Sequence, residues 1–358
     1  MKLFDDPSRS KKTARPKSTG RNNTGKSRSG GPSPVASFPI LLFTLLFFIG
    51  LVFNVDLTSY LPDSFWEAVE SYYDQVPSGS QTETMFPLAD ETSPDAFRNA
   101  PFRLTVLDVG QGLSVFVQSE GETMLYDGGD RDASSFVVSY LERQGLESLD
   151  YVTISHYDSD HLSGVVGVLN HFPVSHVLAP DYKASTAIFR SYKQALSDKK
   201  LTPVYPAVGD SFSLGGASFT VLGPSSIDPD DANNNSLAIR IVYGNTSFLI
   251  TGDAEHEEEE DMCKSWGRSL LSTVYVAGHH GSGTSSSWTL LENAIPEYAV
   301  ISCGRDKPYG HPHDTTLEKF SDMEIPVYRT DTQGSITILS DGETLTWFQE
   351  GQPFQPGV

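Results

Sequence analysis

Four potential metal ligands lie within six residues of this chain: His156, Asp158, Asp160 and His161. The apolar, β-branched run before them, residues 151–155, is typical of a buried strand, and the sequence after them predicts a helix that begins near Asp160. A strand–turn–helix corner can aim several short side chains at one point. Because two imidazoles and two carboxylates lose hydration there, a cation must compensate, and we predict a metal site rather than a polar surface loop.

Three later predicted strands also end in candidate ligands. A lone Gly-Asp often marks only a turn, and a His-His pair serves structural roles as often as metal binding. Four strand ends in series carrying such residues are harder to explain without a shared metal centre. The later candidates are Asp253, the pair His279 and His280, and the pair His311 and His313.

The remaining pattern alternates strands with helices, which indicates an α/β fold. Helices are expected near 134–144, 254–266 and 286–294, besides the one that begins near Asp160. Strands are expected near 102–109, 113–118, 122–127, 151–155, 175–179, 217–222, 236–243, 246–251, 272–277, 298–302, 334–340 and 343–348.

The order of these motifs resembles that of the metallo-β-lactamase superfamily of binuclear metallohydrolases, whose signature is H-x-H-x-D-H followed by later His, Asp and His ligands. The likeness is greatest to the C-terminal hydrolase domain of ComEC-type DNA-uptake (competence) proteins. It covers about residues 102–348. Besides the H-x-D-x-D-H variant, the matching motifs are residues 107–112, 126–129, 278–282 and 310–313.

Two departures from the superfamily pattern bear on the metal site. Asp158 stands where most members have a second histidine, a change that the ComEC branch shares. No histidine precedes the Gly-Asp motif, where residues 233–236 read Asn-Asn-Asn-Ser instead. The resemblance then implies that His279 and His311 complete the metal shell. It also implies an αββα sandwich, with two sheets face to face and helices outside.

The family's roles carry over residue by residue as expectations. His156, Asp158 and His279 would bind one divalent cation, zinc or manganese. Asp160, His161 and His311 would bind a second, with Asp253 bridging the two. His280 or His313 is the alternative where the wrong member of a pair has been chosen.

Four residues are candidates for direct catalytic roles. Asp160 and His280 are candidates because they lie in the ligand motifs. Ser282 and Asn235 could donate hydrogen bonds to a substrate oxyanion. Asp108 and Asp127, at strand ends near the start of the domain, either orient ligands or are structural.

The N-terminal hundred residues predict a membrane attachment. Residues 1–37 contain nine Lys or Arg and two Asp and form a disordered basic tail, and residues 38–55 are an uncharged apolar run. The length of this apolar run and the absence of a small-x-small cleavage site after it favour a transmembrane anchor over a signal peptide. The positive-inside rule places the tail in the cytoplasm and the rest outside. Residues 56–100 would form a juxtamembrane helix and linker, 101–349 the hydrolase domain, and 350–358 a flexible C-terminus.

The charge of the chain bears on its substrate. Without the tail, residues 38–358 contain 16 Lys or Arg and 44 Asp or Glu, a net charge of −28. A polyanion such as DNA is repelled by that field unless cations or a local basic strip offset it. The candidate basic strip is Lys183, Arg190, Lys193, Lys199 and Lys200.

Three interpretations of the function therefore remain open. The first is a phosphodiesterase or nuclease, with DNA as the substrate that the resemblance implies. The second is an envelope phosphodiesterase that acts on teichoic-acid phosphocholine or another small phosphodiester. The third is a non-catalytic binding domain that a metal stabilises. A β-lactam or lactone substrate is disfavoured by Asp158 and by the motif at 278–282. Partner proteins are not indicated, and Cys263 and Cys303 are expected to be unpaired thiols.

Overall fold

A computed structural model describes residues 100–305, 309–349 and 352–354. The predicted tail, membrane anchor and linker, residues 1–99, lie outside the described residues, as does most of the predicted flexible C-terminus. Among the helices of the described part, none has the length and apolarity needed to span a bilayer.

Two sheets form the centre of the described domain. In order across the first sheet the strands are β15 (Gln352–Phe354), β14 (Leu345–Gln349), β13 (Ile336–Ser340), β1 (Phe102–Val106), β2 (Val115–Ser119), β3 (Glu122–Tyr126), β4 (Leu149–Thr153) and β5 (Val174–Leu178). In order across the second they are β12 (Val327–Arg329), β11 (Tyr298–Ile301), β10 (Val274–Val276), β9 (Thr246–Ile250), β8 (Ile239–Tyr243), β7 (Ala217–Val221) and β6 (Ser211–Leu214).

The helices cover the outer faces of the sheets. They are α1 (Ser134–Arg143), α2 (Ser159–His171), α3 (Ala187–Lys199), α4 (His256–Trp266), α5 (Trp288–Ala294), α6 (Asp314–Asp322) and α7 (Thr330–Gln333). Short 3₁₀ segments occur at Arg131–Ala133, Asn233–Asn235, Gly267–Leu270 and Gly278–Gly281.

Strand periodicity divides the core into three layers. Val117 points into an apolar cluster shared by both sheets, whereas its neighbour Phe116 packs with α1, α2 and α3. On β9, Ile250 joins the cluster between the sheets and Leu249 packs with α4, α5 and α6. Because alternate side chains of a strand face opposite ways, each central strand buries both faces. The mixed α/β sandwich of two sheets is therefore as predicted.

Parallel pairing brings the ligand-bearing loops to one edge of each sheet. β4 pairs in parallel with β3 and β5, and β10 pairs in parallel with β9 and β11. The segments that follow β4, β9, β10 and β11 therefore all leave the sheets at carboxyl ends, where sites of α/β folds commonly form. The predicted strand ends are confirmed, and the two cysteines are buried free thiols as expected.

Two glycines bring the backbone of α2 into direct contact with the loop after β3, and this contact fixes the helix there. A Cβ atom on Gly164 would overlap the carbonyl oxygen of Gly128, and one on Gly128 would overlap the backbone nitrogen of Val165. The amide of Gly128 donates to the carbonyl oxygen of His161 at 2.8 Å, and that of Gly164 donates to Gly129 at 3.0 Å. These contacts set the position of the first turn of α2, which carries Asp160 and His161.

Candidate metal centre

Hydrogen bonds from one buried carboxylate orient two of the predicted ligands. Asp127, fully buried, accepts from the backbone N–H of Ser155 at 2.8 Å and from its hydroxyl at 2.6 Å. Its Oδ2 also lies 2.8 Å from Nδ1 of His161. Because the carboxylate can only accept, His161 holds its proton on Nδ1 and directs Nε2 into the cluster. Asp127 thus orients a ligand, which was one of the two roles predicted for it.

The same arrangement is repeated at His156 and His280. Nδ1 of His156 lies 2.9 Å from the Ser155 hydroxyl oxygen, whose proton goes to Asp127. Nδ1 of His280 lies 3.2 Å from the carbonyl oxygen of Ser302. Both imidazoles therefore donate from Nδ1 and present the Nε2 lone pair to the same space.

The Nε2 atoms and two carboxylates converge at distances suited to cations. Nε2 of His161 lies 3.3 Å from Nε2 of His280 and 3.2 Å from Oδ1 of Asp253. Nε2 of His280 lies 3.3 Å from Asp160 and 3.5 Å from Oδ2 of Asp253. Among the described residues, two groups have ligand atoms within 4.8 Å of one another. The groups are His156, His161 and Asp253, and Asp160, His161 and His280.

Two orphaned atoms show that these residues fit divalent cations. Nε2 of His156 and Oδ1 of Asp253 are buried without a well-formed hydrogen bond in the described structure, although Nε2 of His161 lies 3.2 Å from Oδ1. Leaving such groups unpaired costs about 1–3 kcal/mol each. Imidazole nitrogens and carboxylate oxygens are ligands that zinc and manganese accept, and a cation between them would satisfy both orphans at once.

The protonation states of the cluster agree with metal binding. Burial lowers the pKa of His156 to about 3, so this imidazole is neutral at pH 7. Burial alone would raise the pKa of Asp253, but His161 and His280 lower it well below its usual value. Burial likewise opposes ionisation of Asp160, yet its hydrogen bond with His280 lowers its pKa.

His161 is the exception, because burial would lower its pKa but Asp253 and Asp127 raise it well above the usual value. Without a cation, its imidazole therefore retains a second proton, on Nε2. A bound cation would take the place of that proton, which makes metal binding proton-coupled.

Two predicted ligands lie at the margin of the cluster. The side chain of Asp158 is 49% exposed, and its Oδ2 lies 3.9 Å from Nε2 of His156. His279 is 21% exposed, with Nε2 3.7 Å from Oδ2 of Asp253 and Nδ1 3.3 Å from Glu255. His279 and His280 both have left-handed backbone conformations, with φ of 50° and 55°. Non-glycine residues seldom adopt that conformation, and here it turns two successive imidazoles toward the site.

In the second histidine pair, His311 borders the cluster and His313 is held by the surrounding loop. His313 uses both ring nitrogens: Nδ1 accepts from the N–H of Gly283 at 2.8 Å, and Nε2 lies 3.1 Å from the carbonyl oxygen of Tyr309. The ring centroid of His311 lies 5.4 Å from that of His279 and 6.3 Å from that of His280. Burial lowers the pKa of His311 to about 4. His311 therefore borders the cluster as a neutral imidazole.

The two candidate oxyanion donors already have partners. Asn235 donates to the carbonyl oxygen of Asp228 and accepts from its N–H, which holds the loop before β8. The Ser282 hydroxyl oxygen lies 3.0 Å from that of Thr284 and accepts from the Thr284 N–H. One carboxylate oxygen of Asp108 lies 4.0 Å from a guanidinium nitrogen of Arg305.

Sequence reasoning missed the serine partners of the ligands. Besides Ser155 and Ser302, Ser236 accepts from the N–H of Asp253 at 3.0 Å. A serine at a strand end was the available signal, but serine is too common at such positions to distinguish these three. Glu255 was also missed; it accepts from Asn233 and Thr284 and faces His279.

Comparison with known proteins agrees with this geometry. The profile of the Metallo-beta-lactamase superfamily matches residues 107–305. The chain belongs to this superfamily. It is also similar to competence protein ComA of Neisseria gonorrhoeae, with 32% identity over 244 residues, which are 68% of this chain and 33% of that protein. The expected likeness to ComEC-type proteins is thus confirmed.

Other known proteins match a similar share of this chain. ComE operon protein 3 of Bacillus subtilis is 28% identical over 249 residues, 64% of this chain and 32% of that protein. The chain therefore spans about a third of the length of these relatives. Among solved structures, the metallo-β-lactamase fold protein YhfI from Bacillus subtilis aligns over 64% of this chain and 96% of its own, with 15% identity and a TM-score of 0.45.

Proposed function

We propose that this chain is a metal-dependent phosphodiesterase that uses two divalent cations, zinc or manganese. The observation that carries the proposal is the convergence of three imidazole Nε2 atoms, each oriented through Nδ1, on the carboxylates of Asp160 and Asp253. Hydrolases of this superfamily need such a centre, whereas a purely structural cation is closed off by protein ligands, and here Asp158 at the edge of the cluster is 49% exposed.

The residues of the cluster would divide between the two cations. His156, Asp158 and Asp253 would hold one, and Asp160, His161 and His280 the other, with Asp253 shared because it groups with His156 while its Oδ2 also lies 3.5 Å from Nε2 of His280. His280 takes the position first expected for His311, and His279 stays at the margin near Asp253 and Glu255. When bound, two such cations activate a water molecule and neutralise charge on the attacked phosphoryl group.

The protein's own groups prepare that chemistry. Asp127, through His161 and Ser155, fixes the orientation of two imidazoles before any ion binds, so that no reorganisation is needed afterwards. Asp158, about half exposed, leaves one side of the cluster open to solvent and hence to a substrate.

Phosphodiesters are favoured as substrates by the similarity to competence proteins and by Asp158. DNA is the first candidate. The net charge of −28 for residues 38–358 instead favours a small phosphodiester, such as teichoic-acid phosphocholine, because a small anion is repelled less than a polymer. A domain that binds a cation without catalysis is the non-enzymatic alternative. Membrane attachment through residues 38–55, with the hydrolase domain outside the cytoplasm, is part of the same proposal.

A substrate panel tests the reaction. The purified chain, loaded with manganese or with zinc, is assayed with single-stranded DNA, bis-para-nitrophenyl phosphate and nitrocefin. We expect hydrolysis of at least one phosphodiester and no hydrolysis of nitrocefin, with loss of activity in His161→Ala. Hydrolysis of nitrocefin alone would refute the proposal, and activity with neither class at full metal occupancy would favour the non-catalytic alternative.

A further inference from the structure

The loop after β11 places an exposed aromatic ring beside the metal cluster. Tyr309 is 68% exposed, the highest value among the large apolar or aromatic residues of the described chain that face solvent. Its ring centroid lies 5.9 Å from that of His311, at an interplanar angle of 35°. His311 is buried and lies between Tyr309 and the histidines of the cluster. A path of rings therefore leads from the cations' position to solvent.

His311 differs from the other imidazoles in the partner of its Nδ1 atom. At His156, His161 and His280 that partner is an oxygen atom, but Nδ1 of His311 lies 3.3 Å from the amide nitrogen of Gln111. Because an amide nitrogen donates, this contact makes Nδ1 of His311 the acceptor and leaves Nε2 to carry the ring proton. In this tautomer Nε2 of His311 offers no lone pair to a cation, but it can donate to an oxygen atom of a substrate.

Gln111 holds this tautomer of His311 through its amide nitrogen. Its carbonyl oxygen Oε1 is buried and has no hydrogen-bond partner in the described structure. Tyr309 and His311 together present one exposed aromatic face and one hydrogen-bond donor beside the histidines of the cluster.

We propose that Gln111, Tyr309 and His311 form a subsite for the nucleotide next to the scissile phosphodiester. Nε2–H of His311 donates to a phosphoryl oxygen, and Tyr309 stacks on the adjacent base of a single strand. This inference rests on the proposed phosphodiesterase function and specifies its substrate class. Base stacking and a single hydrogen bond do not require a positive field, so the subsite can operate on an acidic domain where electrostatic capture of DNA fails.

A binding measurement tests the subsite without catalysis. The metal-free chain is titrated into a fluorescent oligonucleotide of four thymidines and into its counterpart without bases. The basic tail of residues 1–37 contributes equally to every variant, so differences between variants report the subsite. Tyr309→Ala should weaken binding of the thymidine oligonucleotide by about tenfold and leave the base-free one unchanged. Tyr309→Phe should retain the wild-type value.

A matched control separates stacking from general exposure of aromatic surface. Phe136 is a half-exposed aromatic residue on α1, and Phe136→Ala should not change either affinity. Equal affinities of wild type and Tyr309→Ala for the thymidine oligonucleotide, or an equal loss for the base-free one, would overturn the role of Tyr309.

Metal content tests the assignment of His311. His311→Ala should retain both cations in elemental analysis and raise KM for oligonucleotides, whereas His280→Ala should lose one cation. Gln111→Glu places an acceptor opposite Nδ1, moves the proton of His311 there, and should raise KM as His311→Ala does. Loss of a cation from His311→Ala would show that His311 is a ligand and would overturn the assignment.

Failure of the subsite and failure of the proposed reaction are distinguishable. A wild-type chain that hydrolyses no phosphodiester, yet binds the thymidine oligonucleotide through Tyr309, would refute the phosphodiesterase proposal alone. Suppose instead that the chain hydrolyses phosphodiesters and that KM is the same for oligonucleotides with and without bases, in both wild type and Tyr309→Ala. This result would refute the subsite alone.

Discussion

At the scale of single residues, the partners of the imidazoles decide what the cluster can bind. His156, His161 and His280 all give their Nδ1 proton to an oxygen atom, and these contacts direct three Nε2 atoms at one space. Asp127 is central because it holds both His161 and Ser155 while fully buried. Burial raises the pKa of Asp127, and its hydrogen bonds with His161 and Ser155 oppose that rise.

Asp127→Asn should therefore weaken metal binding without a change in the ligands themselves. The amide nitrogen or oxygen of asparagine cannot replace a carboxylate that accepts from three donors, so the orientation of His161 is lost in part. Changes of this kind typically cost about 10–100-fold in metal affinity. Isothermal titration with manganese measures it, and Asp150→Asn, a carboxylate that accepts from Thr123 at the other end of β4, is the control. Equal affinities in the two variants would contradict this role for Asp127.

The types of the ligands could be predicted from the sequence, but the choice within each pair could not. Asp160, His161 and Asp253 lie in the clusters because each follows a strand that ends at the same edge. His279 and His280 are adjacent and share a left-handed backbone, so only the fold shows that His280 is the buried one. Ser155, Ser236 and Ser302 acquire their roles only through contacts between distant segments.

At the scale of elements, glycines hold α2 in register with the loop after β3. Gly164→Ala should destabilise the fold markedly, because the new methyl group meets the backbone of Gly128, which cannot move without displacing His161. Gly167→Ala is the matched control on the same helix. Its methyl group meets only the hydroxyl of Ser134, which can rotate away, while alanine favours the helix by about 1 kcal/mol.

Thermal unfolding compares the two glycine variants. We expect a loss of about 2–4 kcal/mol in the free energy of unfolding for Gly164→Ala, in the range of overpacked core sites, and a change near zero for Gly167→Ala. Similar melting temperatures for the two variants would show that the Gly128–Gly164 contact is not tight.

Helix α4 connects the loops around the site through its acidic residues. Glu259, fully buried, accepts from the N–H groups of Ser286 and Ser287, which continue from the His279–His280 segment. Glu258 accepts from the N–H and hydroxyl of Ser225. Acidic residues in the first turn of a helix suit its dipole and are commonly solvated, but these two carboxylates are buried. The pattern alone did not show that partners from two loops would cover this face.

Glu258 makes stability depend on pH in a direction that can be checked. Burial raises the pKa of Glu258 from 4.5 to about 7 in the folded protein. Its contribution is therefore fully present below pH 4.5 and is lost as the pH rises through about 7, because the folded state must then bury a charge. In Glu258→Gln, the amide oxygen keeps the acceptor without titrating. Denaturant unfolding should show a smaller fall in stability between these pH values in the variant, and parallel curves would contradict the assignment.

Several elements were not predicted, for two physical reasons. Helix α3 carries a helical signal, with Thr186 capping its start and Phe189, Tyr192 and Leu196 on one buried face, but the lysines between them suggested a basic surface strip. Strand β12 has three residues, too few to show a period, and it forms only because β11 offers a parallel edge. Long strands such as β9 were predicted because β-branched and aromatic residues fill them on both faces.

At the scale of the whole molecule, the proposed topology separates a basic tail from an acidic domain. The tail and the apolar run at 38–55 precede a chain segment with a net charge of −28. If the apolar run spans the membrane as proposed, the positive-inside rule orients the domain outward. Protease added to intact cells or protoplasts should then digest the C-terminal domain and leave the tail. Full protection until the membrane is permeabilised would place the domain in the cytoplasm.

The central claim is that this chain binds two cations and that it needs them to hydrolyse a phosphodiester. The most direct measurement titrates manganese into the metal-free chain while bound metal and the rate of bis-para-nitrophenyl phosphate hydrolysis are recorded together. We predict that activity rises to its maximum as the second equivalent binds, and that Asp253→Ala, which removes the shared carboxylate, binds fewer than two ions and has no activity. Saturation at two equivalents without hydrolysis of any phosphodiester, or activity that is independent of metal, would contradict the account.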